Sequence, residues 1–548
     1  MVAFARETRG TYKKLSTQGI PEDAGLSPEQ REAGQMIVSS RDQVIGLRGG
    51  AGTGKTRMMD ETIKAIRQDG HEVYTFAPSA EASRGVLRSE GFANADTVER
   101  LLTDETMREQ VRNQVVWIDE AGLLSVKDTN RLFALAKEQH CRVILAGDKK
   151  QHSSVIRGDA LRIIEEEAGL PFAELKQARR QTNAEYRAAV QAISEGDAPA
   201  KGGGTRLAEG VAALDRMGAI VELDGEERHR QMAGDYLEAI GERKSDGTAK
   251  TALVVAPTHR EGDRITAHIR EGLREQGRLG KTEQAVTALE NANWTTAQRK
   301  DAVLYQEGLV VQFHQNLKGF KRGEKVDVLG HDDGTVQVKR SDGNVTALRL
   351  AEADRFQVYR RAEIGLAAGD LVRITQNGYG TETTRTGKRD KARLNNGSVY
   401  QVDGFTREGD IRFTNGFVVP KNYGHLAHGY ASTSHSAQGK TVDKVFVAMG
   451  HEALAAASRE QFYVSVSRGR ESVKLYTDDK EAMLDAVRSS GQRLSATELM
   501  KGQGPGARPK APGKLRDAVR TNYQVLRETG RDIMIPRARK EPHHGRTT

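Results

Sequence analysis

Apolar positions follow two rhythms along this chain. Between residues 43 and 150, short unbroken runs alternate with stretches spaced at helical intervals: QVIGL (43–47), TRMMDETIKAIRQ (56–68), VVWI (115–118) and CRVILAGD (141–148). Brief apolar runs separated by helical spacing predict parallel strands buried on both faces and joined by crossover helices. The rhythm returns towards the end, where VFVAM (445–449) predicts another such strand and FYVSVSRGRESVKLYT (462–477) reads as strand, turn and strand. Residues 308–420 differ. In FKRGEKVDVLGHDDGTVQVKRSDGNVTAL (320–348), and again from AAGDLVRITQN (367–377) to LNNGSVYQVDGFTREGDIRFTNG (394–416), a Gly-acid pair precedes an alternating strand and glycine-rich turns separate further strands. That pattern predicts two small β-barrels, related as a divergent repeat.

Composition narrows the field modestly. At 548 residues the chain can bury several cores, so roughly two to four domains are expected. The single cysteine, Cys141, excludes a disulfide framework and points to a reducing compartment. No stretch approaches the roughly 20 apolar residues of a membrane span, and MVAFARETRG lacks a signal peptide's apolar centre. The chain reads as soluble and cytoplasmic, with no membrane insertion. A net charge of +9 invites a nucleic-acid partner, but residues 501–548 hold 12 Lys/Arg against 4 Asp/Glu and 5 of the 12 prolines. The excess charge therefore describes a tail, which suits either weak phosphate binding or a solvated terminus.

The chemistry starts after the first strand. Gly49, Gly50, Ala51, Gly52, Thr53, Gly54, Lys55 and Thr56 fit G-x-x-x-x-G-K-[ST] between a strand and a helix. Glycines let successive N–H groups curl around an anion, and the following helix points its positive end at the same place. Lys55 is expected to reach the β- and γ-phosphates of a nucleoside triphosphate, and Thr56 to ligate Mg²⁺. Such a cradle needs a carboxylate on a neighbouring strand. Asp119 and Glu120 follow VVWI; Asp119 is the expected metal ligand through water, and Glu120 the base that activates the attacking water. Gln151, after CRVILAGD, is placed to report on the γ-phosphate.

Around this core the order of segments resembles superfamily 1B, or RecD-type, DNA helicases. The likeness is carried by LSPEQREA (26–33), FAPSAEAS (76–83), TVERLL (97–102), QARRQT (177–182), GYASTSHSAQGKTVDKVFVAMG (429–450) and residues 462–477. NWTTAQRKDAVLYQEGLVVQFHQNLKGFKRGEKVDV (293–328) is similar to the corresponding stretch of conjugative relaxase–helicases, which nick and then unwind plasmid DNA. The resemblance spans residues 25–485. It implies an α/β fold of two RecA-like parallel-sheet P-loop motor domains with an inserted SH3-like β-barrel region. It also implies ATP and Mg²⁺ as cofactors, 5′-to-3′ travel, a single-stranded DNA partner at a single/double-strand junction, a monomeric motor and partners in the conjugation machinery.

Carried over by position, the resemblance makes Gln30 the adenine reader and Gly439 part of the nucleotide site. Arg180 and Arg468 become γ-phosphate sensors on opposite sides of a cleft, with Arg470 a weaker candidate. Pro78, Ser79, Thr97, Thr433 and His435 become contacts to single-stranded DNA. The expected organisation is an N-terminal extension (1–24), a first motor domain (25–200), a linker and connecting segment (201–245) and the first part of a second motor domain (246–300). The inserted barrel region (301–420), the rest of the second motor domain (421–485) and the basic tail (486–548) complete it. TETTRTGKRDKARLNN (381–396) reads as a basic loop within reach of a nucleic-acid backbone.

Two departures bear on the outcome. Related helicases often carry a strand-parting hairpin before the Asp119 strand, whereas LLTDETMREQVRNQ (101–114) is short, polar and helical in spacing. The histidine cluster and nucleophilic tyrosines of a relaxase are also not evident, which leaves open a nicking domain preceding this chain or a stand-alone motor. The alternatives are a RecD-type repair or recombination helicase, and a helicase-shaped module that binds single strands without turnover.

Overall fold

The computed structural model describes residues 1–152, 154, 158–383 and 389–491. The basic tail from residue 492 and the centre of the basic loop, 384–388, lie outside the described residues.

The first lobe is built on a six-stranded sheet in the order Asp96–Thr97, Val73–Ala77, Val115–Ile118, Arg142–Gly147, Val44–Gly49 and Phe172–Leu175. Every pairing in it is parallel. The apolar runs lie at its centre, with Val115–Ile118 and Arg142–Gly147 buried along their whole length. Helix Lys55–Gln68 buries Met58, Met59, Thr62, Ile63, Ala65 and Ile66, a single stripe at three- and four-residue spacing. Each aliphatic side chain so buried contributes about 1.5–3 kcal/mol. Residues 1–24 belong to this lobe's packing: Ala5 and Leu15 are fully buried, and Phe4 packs on Phe133. Cys141 sits in the same core, where burial pushes its thiol up to about 12.

The second lobe has a five-stranded parallel sheet in the order Ala431–Ser432, Ala252–Val255, Val442–Met449, Gly469–Thr477 and Ile220–Glu222. Two sequence readings change here. Residues 201–245 are not a bare linker, because Ile220–Glu222 is an edge strand of this sheet and helices Arg206–Arg216 and Gly225–Ala239 pack on the lobe. FYVSV is not a strand either. It lies in helix Arg459–Val466, capped by the Ser458 hydroxyl, which accepts from Gln461 N–H. Its aromatic and β-branched residues favour a strand locally, but every residue from Glu460 to Val466, polar ones included, is buried, so tertiary packing around the segment overrides that preference.

Inserted in sequence between Ala252–Val255 and Ala431–Ser432 of the second lobe are two antiparallel sheets. One has six strands, from Val345–Ala347 at one edge to Glu283–Asn291 at the other; the second has seven, from Arg389–Leu394 to Leu426–His428. Glu283–Asn291, within the 246–300 segment assigned to the second motor domain, pairs along its whole length with Phe356–Ala367 and so belongs to the insert. Residues 98–110 form two short helices, Val98–Thr103 and Glu105–Gln110.

Candidate functional site

At the carboxyl edge of the first sheet, Lys55 opens a helix whose N-cap, Gly54, has a left-handed backbone (φ 81°). Lys55 Nζ lies 3.6 Å from Asp119 and 3.9 Å from Glu120, which follow the neighbouring strand. Burial alone would depress this ammonium, but Glu120, Asp119 and Asp148 outweigh it and hold it above its ordinary value. The two carboxylates are driven apart. Burial pushes Asp119 up, whereas Glu120, despite the same burial, is held below its usual range by Lys55, the Gln438 amide and the Arg468 and Arg180 guanidiniums.

The second lobe closes the site. Gln438 Nε2 donates to Glu120 at 2.9 Å. Arg468 is 1% exposed, its Nε donating to Val464 O at 2.7 Å and one terminal nitrogen to Ser467 Oγ at 2.8 Å. Arg180 donates to Ser467 O at 2.8 Å, and burial followed by Arg468 pushes it down to about 9. A buried guanidinium, Arg468, and a half-buried one, Arg180, thus lie within electrostatic reach of each other and of Glu120, and two cations facing one carboxylate favour an incoming anion. Arg470, by contrast, is half exposed beside Asp443.

Each glycine of the loop clears room for a different neighbour. A Cβ on Gly49 would meet the Lys55 stem at 2.6 Å, on Gly52 the Arg180 Cβ at 2.3 Å, and on Gly54 the Gln30 amide at 2.4 Å. On Gly50 it would lie 3.2 Å from the hydroxyl of Tyr463, a second-lobe residue that accepts Ala51 N–H at 3.0 Å. Gln30 is engaged locally: its amide donates to Thr53 O and Gly54 O, and its oxygen accepts Ser27 N–H in a capping box. Thr53 Oγ1 donates to Gly50 O, and Gln151 donates to Asp148. Gly439 (φ 85°) has open space around it, so its glycine serves the turn rather than a close approach.

The residues present fit a triphosphate with a divalent cation. Lys55 Nζ is buried with no hydrogen-bond partner among the described residues, and Thr56 Oγ1 and Asp119 stand on adjoining elements of the same edge. Glu90, which the sequence reading missed, accepts from Thr56 Oγ1 at 3.1 Å and feels Asp119 and Lys55 electrostatically. It follows a π-helical segment, Glu81–Leu87, and no local pattern marks it.

A groove of about 480 Å³ runs beside this cluster, lined by Pro78, Ser79, Glu81, His435, Ser436 and Lys440 among others. Three hydroxyls expected there cap helical turns: Ser79 accepts Ala82 N–H, Thr97 accepts Arg100 N–H and Thr433 accepts Ser436 N–H. His435 stacks on His152 of the first lobe, ring centroids 3.6 Å apart. Ser398 of the insert donates to Glu81 at 2.9 Å, roofing one side of the groove.

An AAA domain family matches residues 25–225, and the core domain of viral superfamily 1 RNA helicases matches residues 414–477. With the two parallel sheets and the cluster between them, these matches define the class: the chain is similar to superfamily 1 helicases. It is 23% identical over 566 residues to the multifunctional conjugation protein TraI of Escherichia coli, covering 94% of this chain and 30% of that protein. It is 24% identical over 472 residues to the conjugal transfer protein TraA of Rhizobium radiobacter, covering 86% of this chain and 34% of the relative. Within its class it is like the helicase region of a conjugative relaxase–helicase, and it spans about a third of the length of these relatives. A Pif1 helicase from Bacteroides, solved with ADP-AlF3 and ssDNA, aligns with 87% of this chain and 97% of its own at 15% identity and a TM-score of 0.40. Among the described residues no helix is long and apolar enough to cross a membrane.

Proposed function

We propose that this chain is an ATP-dependent translocase and helicase on single-stranded DNA, moving 5′ to 3′ and serving conjugative plasmid transfer. The observation that carries the reading is one half-buried cluster: Lys55 lies beside Asp119 and Glu120 of the first lobe, Gln438 of the second donates to Glu120, and the buried Arg468 acts on Glu120 electrostatically. In this reading Lys55 and the loop N–H groups of residues 50–56 other than that of Ala51, which Tyr463 takes, hold the phosphates, while Thr56 and Asp119 hold Mg²⁺. Bound Mg²⁺–ATP would supply the scissile phosphoanhydride, and Glu120, ionised and oriented by Gln438, would take the proton of the attacking water. Arg180 and Arg468 would meet spreading phosphoryl charge from two sides, so that hydrolysis depends on lobe closure. Gln151 would register the γ-phosphate, and Gln30 and Gly439 would complete the nucleotide site.

Pro78, Ser79, Thr97, Thr433 and His435 would grip the strand without reading sequence, and the antiparallel insert, read as SH3-like, would cover it. The helical interval at residues 98–110 favours translocation over pin-driven strand parting as the primary activity. Partners in the conjugation machinery, action as a monomer and a cytoplasmic location belong to the same proposal.

The deciding measurement is ATPase rate with and without single-stranded DNA or RNA. DNA should stimulate strongly, and Lys55→Ala and Glu120→Gln should each remove turnover. Stimulation by RNA alone, or none at all, rejects the reading. Strand displacement on 5′- and 3′-tailed duplexes then tests polarity, with only the 5′-tailed substrate expected to open.

A further inference from the structure

We propose that Tyr463 is a positioning residue that seats the second lobe on the phosphate loop, and that Gly50 is glycine to admit its hydroxyl. The inference rests on the ATPase reading above and adds a residue to that site.

Helix Arg459–Val466 ends two residues before Arg468. Whatever fixes the helix therefore fixes the guanidinium, which is bound back to that helix through Val464 O. Tyr463 is 4% exposed, and its oxygen takes the N–H of Ala51 across a sequence separation of 412 residues. Ala51 N–H lies in the middle of the loop and has no donor role in the first lobe's own turns. The second lobe is thus hydrogen-bonded to the loop backbone itself.

The geometry at Gly50 separates this from ordinary packing. Gly50 has no positive φ, so its backbone would accept alanine. The atom nearest to a Cβ built there is the Tyr463 oxygen at 3.2 Å; the next, in Thr53 and Asp148, are at 3.6 and 3.7 Å. The tyrosine oxygen is the tight contact. A methyl group at residue 50 requires that oxygen to give by a few tenths of an ångström, and so strains the start of the route to Arg468.

The phenol also closes one side of a cavity of about 210 Å³ behind the loop, lined by Arg48, Asp148, Lys150 and Gln191 among others. Removing the hydroxyl alone leaves the ring to fill its place, so Tyr463→Phe tests the hydrogen bond without emptying the core.

The experiment compares wild type, Tyr463→Phe, Gly50→Ala and the double variant in the full chain. It reads DNA-stimulated kcat, KM for ATP and thermal melting. Loss of one hydrogen bond predicts a fall in kcat of about threefold to tenfold for Tyr463→Phe, with KM changed less than kcat. Gly50→Ala should lose at least as much and melt earlier. In the double variant the oxygen is gone and the methyl group has room, so kcat and melting should return to the Tyr463→Phe level. Summed losses in the double variant, or a Tyr463→Phe enzyme at the wild-type rate while Glu120→Gln is inactive, overturn the proposal. A wild type without ATPase activity rejects the ATPase reading instead, and the melting comparison still decides whether Gly50 and Tyr463 share one space.

Discussion

Gly52 and Gly54 combine left-handed backbone with neighbours within 2.5 Å of where a side chain would start, Arg180 in one case and Gln30 in the other. A substitution there is strained twice, by φ and by contact, so Gly52→Ala should abolish binding of a fluorescent ATP analogue, where Gly50→Ala only weakens turnover. Arg468 gives the complementary case. Its guanidinium holds Val464 O and Ser467 Oγ with separate nitrogens, a fork that an ammonium cannot reproduce. Arg468→Lys should therefore lower DNA-stimulated kcat by at least roughly a hundredfold, with nucleotide affinity in equilibrium titration changing far less. The residues that sequence made legible are those whose neighbours are local. The loop, Lys55 and the Asp119–Glu120 pair each sit at a strand end that the apolar pattern marks. Tyr463 and Glu90 meet the loop only because the chain returns there, and nothing within a few residues of either announces it.

The four-residue helix Ser434–Ala437 is the element on which the two candidate functions converge. His435 on it lies in the groove and stacks on His152, and Gln438, its C-cap, donates to Glu120. Gln438→Ala should lower basal hydrolysis, because Glu120 loses the hydrogen bond that orients it, and lower the DNA-stimulated rate about tenfold further, while single-strand affinity by fluorescence anisotropy stays nearly unchanged. Equal loss of both rates would mean that Gln438 serves catalysis alone. The histidine pair adds a pH dependence. Burial, then His435 and Arg468, push His152 down to about 3, and burial lowers His435. The His152 ring is neutral in the folded chain at pH values where an unfolded histidine, near 6.5, gains a proton. Stability is therefore full above about pH 6.5 and is lost as pH falls towards the folded value. Melting temperature should drop more steeply between about pH 6.5 and 5 in wild type than in His152→Asn. At this scale the sequence misled in two places for one reason: composition describes a segment's surroundings less well than its shape. FYVSV has strand-like residues but is a helix enclosed by core, and residues 201–245 look polar enough for a linker yet supply the edge strand Ile220–Glu222.

Over the whole chain, charge is distributed against expectation for a strand-binding protein. The groove carries Glu81, Glu99 and Asp128 with Lys440, whereas the surplus of Lys/Arg lies in residues 501–548. Backbone and hydroxyl contacts release few counterions, so single-strand binding by the groove should depend weakly on salt. A chain ending at residue 491 is expected to keep DNA-stimulated ATPase activity and to show a shallower slope of log affinity against log salt than the full chain. An unchanged slope would mean that the tail does not touch DNA.

Cys141 has a practical consequence at this scale. Its thiol is fully enclosed in the first lobe's core and titrates near 12, far from the thiolate form that maleimides attack. The natural chain is in effect blank to thiol-directed dyes. A cysteine placed on an exposed position of each lobe can be labelled without first deleting a native one, so cleft opening can be followed by single-molecule energy transfer in otherwise unaltered protein.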